Sequence, residues 1–170
     1  MEITKINTKD VIALQYISHK TFTETFAVHN TVENMKQYLD QFFTVDNLTV
    51  EIENPNSQFY FAKQDNRVIG YLKLNFAHAQ TELQDGSSIE IERIYVLKEN
   101  HGSGVGIELL NFAIEIAKQN KAAYIWLGVW ENNHRAIRFY KKNGFTTFDK
   151  HQFVLGSEEQ TDLMMRLEIG

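Results

Sequence analysis

The segment His101-Gly102-Ser103-Gly104-Val105-Gly106 places three glycines within six residues. A backbone without side chains can approach a ligand closely, and successive N–H groups at a helix N-terminus favour an anion, a diphosphate above all. Two familiar nucleotide loops fail on spacing. A P-loop requires Gly-Lys followed by Ser or Thr, and a dinucleotide fingerprint requires a glycine three positions after Gly104, where Ile107 stands. A tight turn without a ligand is the alternative. A second run extends from Glu131 to Phe145. In it Asn132 or Asn133 could cap a helix, and Tyr140 taken alone reads as a core aromatic with its hydroxyl at the surface.

These residues need elements to hold them. Met1 to Ile6 reads as a strand. Asp10 could cap a helix carrying Leu14, Ile17 and Phe22, and a second helix runs from about Glu33 to Phe43 with Met35, Tyr38, Leu39 and Phe42 at helical spacing. Asn54-Pro55-Asn56 is a turn. Gln58 to Lys63 and Val68 to Phe76 form a hairpin across Gln64-Asp65-Asn66-Arg67, and Ala77 to Ser88 is a polar loop. The second half reads strand (Ile89 to Leu97), glycine loop, amphipathic helix (Val105 to Asn120), strand (Tyr124 to Trp130) and short helix (Asn133 to Lys142). Asn143-Gly144 ends that helix, and Phe145 to Leu155 and Asp162 to Ile169 are antiparallel strands. The class is α+β, a single domain over residues 1–170 with a mixed, mostly antiparallel sheet flanked by helices.

The strand before the glycine loop breaks parity. Ile89 and Ile91 share one face, whereas Ile94 and Val96 have the opposite parity. An extra residue near Glu92-Arg93, a β-bulge, returns both pairs to one side and leaves backbone groups for a ligand. A strand buried on both faces is the alternative.

Composition narrows the chemistry. The chain has 170 residues, no cysteine and a formal net charge of −5. Disulfides, thiolate catalysis and cysteine-ligated metals are excluded. The negative balance argues against general nucleic-acid binding and mildly favours a cationic substrate. The six histidines form neither His-x-His nor His-Glu-x-x-His, so no metal is expected. No Gly-x-Ser-x-Gly elbow occurs. No apolar run could cross a membrane, and Met-Glu-Ile-Thr-Lys is no signal peptide, so a cytoplasmic location is expected.

Taken together, the two runs resemble the GCN5-related N-acetyltransferase (GNAT) family. His101, Gly104 and Gly106 stand where that family shows Gln/Arg-x-x-Gly-x-Gly/Ala. Asn133, Ala136 and Tyr140 followed by Gly144-Phe145 stand where it shows Asn-x-x-Ala-x-x-x-Tyr and a Gly-Phe ending. The match covers roughly residues 89 to 167, and His101 is its departure. The resemblance implies splayed strands and acetyl-CoA as co-substrate. The backbone of Ile94, Tyr95 and Val96 would pair with the pantetheine arm. The loop of His101, Gly102, Ser103, Gly104, Val105 and Gly106 would cradle the pyrophosphate. Asn133 would bond the pantetheine or phosphate region, and Lys142, Lys141 or Arg138 would meet the 3′-phosphate or form a solvated basic face. Tyr140 would protonate the departing thiolate.

Phe153-Val154-Leu155-Gly156, Gln160-Thr161-Asp162-Leu163-Met164-Met165 and Ile91-Glu92-Arg93-Ile94-Tyr95-Val96 resemble a bacterial subgroup that includes polyamine (spermidine/spermine) acetyltransferases. The expected partner is a small-molecule amine. A homodimer is compatible with this reading; neither nucleic acid nor membrane is expected. The amine must lose a proton before it attacks, since an alkylammonium has a pKa near ~10.4. Glu90 and Glu92 are the candidate acids near the splay, one to position the cation and the other, or a water, to deprotonate it; a soluble strand edge is the alternative. Glu24, Phe26 and His29 are candidates for the acceptor side, with a plain surface loop as the favoured alternative. A protein N-terminus, an amino acid or an antibiotic amine are rival acceptors, and a non-catalytic acyl-CoA sensor is a rival class.

Overall fold

The computed structural model describes residues 1–170. Its elements run β1 (Glu2–Lys5), α1 (Val11–Phe26), α2 (Val32–Phe42), α3 (Val45–Glu53), β2 (Ser57–Gln64), β3 (Arg67–Phe76) and β4 (Ser88–Val96). They continue α4 (Val105–Gln119), β5 (Tyr124–Trp130), α5 (His134–Lys142), β6 (Thr146–Leu155) and β7 (Glu158–Glu168). One seven-stranded sheet has the order β1-β2-β3-β4-β5-β7-β6. Every pairing is antiparallel except β4 with β5. A parallel pair needs a crossover, and α4 supplies it.

The parity break resolves as a bulge at Glu92. Lys73 faces Arg93 while the next residue, Leu74, faces Ile91, which leaves Glu92 as the extra residue. Leu72, Leu74, Ile91 and Ile94 then share the face covered by α4, where Tyr60 of β2 meets Phe112. The other face carries Lys73, Asn75, Glu90 and Arg93 toward α1 and α3. Burial drives both layers: Leu109, Leu110, Ala113 and Ala117 of α4 and Leu14 and Ile17 of α1 are almost wholly buried in one continuous core.

Three local expectations change. Asp10 does not cap α1; its carboxylate accepts from Asn7 N–H and closes a capping box on the preceding 3₁₀ turn. The stretch after Phe43, unassigned from sequence, is α3, whose start is fixed by Thr44 accepting from Asn47 N–H at 3.1 Å. Only Leu48 of that helix is fully buried, so its apolar stripe is too thin to read. The polar segment after β3 opens with a 3₁₀ turn, and its Gln80 is buried, donating to Asp85 O and accepting from Trp126 Nε1–H at 2.7 Å.

Candidate active site

β4 and β5 pair only from Ser88–Tyr124 to Ile91–Leu127. Beyond that point β4 stays on β3 through Val96, and β5 stays on β7 through Trp130. The two strands therefore diverge just where Glu92 is extruded. A cavity of about 970 Å³ lies along the gap, lined by Ile94, Tyr95 and Val96, by the glycine loop, and by Asn133 and Tyr140 from α5. The β5-facing edge of β4 has no strand on it there, so an extended amide-bearing chain could pair with it.

At one end of the gap the chain turns into α4 through Gly102 (φ +80°) and Gly104 (φ +92°). A Cβ at either position would project into open space. Both the left-handed backbone and the cleared approach call for glycine. Gly104 is the N-cap of α4 and supplies no side-chain cap, so the first N–H groups of this 15-residue helix are left for an anion. Arg135, Arg138 and Lys142 of α5 line the cavity, Arg135 within electrostatic reach of His101; Lys141 does not line it. The His101 ring donates from Nε2 to Val96 O at 2.8 Å, tying the loop to the end of β4, and burial keeps this imidazole below its ordinary pKa. Asn133 caps α5, its Oδ1 accepting from Ala136 N–H at 3.2 Å, while also lining the cavity.

Tyr140 is 7% exposed, packed between Phe139 and Phe145, and lines the gap. Burial pushes its pKa up, so the phenol is protonated at neutral pH and suits a donor rather than a base.

Glu90 and Glu92 lie on one side of β4, joined by Asn75, whose Nδ2 donates to both at 3.0 and 3.2 Å. Their surroundings differ. Glu92 pairs with Lys73 Nζ at 2.7 Å and Arg93 Nε at 3.2 Å, and both cations also reach Glu51. Burial alone would raise the Glu92 pKa; Arg93 and Lys73 together override it and hold the group ionised. Glu90 is 3% exposed and accepts from Thr81 N–H at 2.8 Å and Thr81 Oγ1–H at 2.5 Å. Burial raises its pKa against the opposing hydrogen bonds from Thr81 and Asn75.

An aromatic cluster also lines the gap: Phe26 of α1, Tyr38 of α2, Trp130 of β5 and Phe153 of β6. Phe26 packs tilted against Trp130 with ring centroids 5.2 Å apart, and His29 meets that indole edge-on without lining the cavity. Glu24 borders the gap but accepts from Lys98 N–H, bracing α1 against the chain after β4. Two residues escaped the sequence reading. Gly128 is exposed in the middle of an otherwise bulky strand, and Asp162 of β7 sits beside it, close enough that a Cβ on Gly128 would lie 3.2 Å from Asp162 Oδ2. The lone glycine among Trp126, Val129 and Trp130 was the available signal, since glycine inside a strand marks a close approach.

A glycine loop at a helix N-terminus, an unpaired strand edge and a buried phenol thus share one gap. Residues 18–145 match the model of the acetyltransferase (GNAT) family. A protein of Lactobacillus delbrueckii subsp. lactis, described as an uncharacterized N-acetyltransferase in the pepI 3′ region, is 41% identical over 98% of this chain and 96% of its own. The aminoalkylphosphonate N-acetyltransferase of Salmonella typhimurium is 29% identical over 81% of this chain and 88% of its own. Among solved structures, PaiA N-acetyltransferase from Thermoplasma acidophilum in complex with coenzyme A has a TM-score of 0.81 at 23% identity, covering 98% of both chains. The chain belongs to the GNAT acetyltransferase family and is an N-acetyltransferase with acetyl-CoA as donor.

Proposed function

We propose that this enzyme acetylates the terminal primary amine of a small polycation such as spermidine by direct attack in a ternary complex. The observation that carries the reading is the polarity of the gap. Arg135 acts electrostatically on His101 of the glycine loop and lines the gap with Arg138 and Lys142 of the same helix, whereas Asp162 stands across from Trp130 and lines it with Glu82, Glu90 and Glu92, of which Glu82 pairs with His151 and Glu92 with Arg93. A phosphate-rich donor suits the first group and a cationic acceptor the second. Aromatic faces at Trp130, Phe26 and Tyr38 add attraction for an ammonium group.

The residues take complementary roles in this reading. The backbone of Ile94, Tyr95 and Val96 holds the pantetheine arm, residues 101–106 hold the pyrophosphate, and Asn133 and Lys142 complete the donor site. Tyr140 gives its proton to the leaving sulfur. Glu92, paired with Lys73 and Arg93, and Glu90, held by Thr81 and Asn75, fix the bulged strand beside the acceptor. With no cysteine in the chain, no thiol can carry the acetyl group between donor and acceptor.

Thiol release from acetyl-CoA, measured across spermidine, spermine, amino acids, aminoglycosides, a peptide and 2-aminoethylphosphonate, tests the acceptor. Polyamines are expected to give the highest kcat/KM. Preference for 2-aminoethylphosphonate, the kind of acceptor named for the Salmonella relative, would move the reading to an anion-bearing amine; preference for a peptide would move it to a protein N-terminus.

A further inference from the structure

The acetyl-transfer reading leaves the acceptor's proton without a destination. Glu92 is neutralised by two cations and Glu90 is engaged by Thr81 and Asn75. Neither offers an uncommitted oxygen at the aromatic cluster.

Resting on that reading, we propose that Asp162 is the general base: its carboxylate receives the acceptor's ammonium in the aromatic pocket and takes the proton that must leave before attack. Asp162 lies directly across from Trp130 in the β5–β7 ladder and lines the gap. Its carboxylate forms no ion pair and accepts no hydrogen bond from the protein, unlike Glu90 and Glu92. Gly128, the next cavity-facing position on β5, has no side chain to cover it. The carboxylate is thus presented from β7, the strand next to the β5 lip of the splay, at the position across from Trp130. This arrangement of one free acid against aromatic faces fits an alkylammonium and offers nothing to an anion.

The charged and titratable groups around it permit the role. His151 faces it from β6 and is itself paired with Glu82 at 2.7 Å. Tyr38 of α2 and Tyr95 of β4 lie within its electrostatic reach, and Tyr95 in turn lies within reach of Tyr140. Glu24 of α1 is turned to Lys98 N–H. Burial raises the Asp162 pKa to about 6, opposed by His151, which brings a carboxylate close to the range where a base works at neutral pH.

The step balances. An ammonium N–H bond breaks and its proton goes to an Asp162 oxygen. The freed nitrogen lone pair bonds to the thioester carbonyl carbon, and the C–S bond breaks with its electron pair on sulfur. Tyr140 protonates the sulfur, the second nitrogen proton restores Tyr140, and Asp162 returns its proton to solvent. The net change is one acetamide, one thiol and one proton released.

The test compares n-butylamine, a cation at assay pH, with 2,2,2-trifluoroethylamine, which is neutral there. In Asp162→Asn, kcat with n-butylamine is expected to fall at least ~10²-fold, in keeping with the usual worth of general acid–base catalysis. The deficit with trifluoroethylamine should be under ~10-fold, acetyl-CoA affinity by calorimetry should be unchanged, and Asp162→Glu should recover part of the rate. The acidic limb of the kcat profile should vanish in Asp162→Asn. Equal deficits on both amines, or an Asp162→Asn enzyme as fast as the parent on n-butylamine, would overturn the assignment. Spermidine left unacetylated while n-butylamine reacts would defeat the polyamine reading alone.

Discussion

At the scale of single residues, protonation states separate the groups along the gap. Tyr140 is buried with its pKa raised, so removing its proton while keeping its ring isolates its proposed role. In Tyr140→Phe, kcat is expected to drop ~10²–10⁴-fold with acetyl-CoA affinity held within a few-fold, measured under conditions where chemistry limits turnover. Asp162 carries a stability cost as well. Its folded pKa of about 6 lies above the ordinary carboxylate value of about 3.9, so the native state holds the proton more tightly than the unfolded chain. That cost is absent below pH ~4, grows between pH ~4 and ~6, and is full above ~6. Asp162→Asn should therefore be more stable than the parent at pH 7.5, by roughly 1–2 kcal/mol after allowance for solvent at the cavity mouth, with no difference at pH 4. Denaturant melts at the two pH values check both sign and window. The sequence marked Glu90 and Glu92 as acids near the splay, yet what distinguishes them, Thr81 for one and Lys73 with Arg93 for the other, depends on contacts across strands and loops. No local pattern reports such pairings, and for the same reason Asp162 reads there as part of a strand and a subgroup motif without a role of its own.

At the scale of elements, the glycine loop and the bulge were legible because each violates a local rule. Consecutive glycines between a strand and a helix, and apolar residues that switch parity, are visible without tertiary information. α3 and the extension of β7 back to Glu158 were not, since capping by Thr44 and pairing across Gly156-Ser157 carry little hydrophobic signal. The loop gives a direct test. Gly104→Glu sets a side chain on a left-handed backbone, which costs about 1–2 kcal/mol, and puts a negative charge where N–H groups await an anion. Acetyl-CoA affinity should weaken by at least ~100-fold in a folded protein, as calorimetry and circular dichroism would show. Gly104→Ala, which adds the backbone strain without the charge, should lose less.

At the scale of the whole molecule, the sheet is two half-sheets sharing one short seam. β1 to β4 form one, β5 to β7 the other, and the β4–β5 register joins them over four residue pairs, with α4 bridging above. A donor lying in the gap ties both halves to the same ligand. At 100 times its dissociation constant it should add about 2.7 kcal/mol of stability. For a chain of 170 residues that is a rise in Tm of roughly 5–10 °C, readable by differential scanning fluorimetry, and CoA alone should give most of it. The recessed seam also bears on self-association. An unpaired strand edge ordinarily invites a strand from another copy and so seeds aggregates. Here the open edge of β4 lies in the middle of the sheet, whose outer strands are β1 and β6, and it lines a cavity shared with residues of α5 and the aromatic cluster. Backbone groups left unpaired are thus held inside the sheet rather than along its rim.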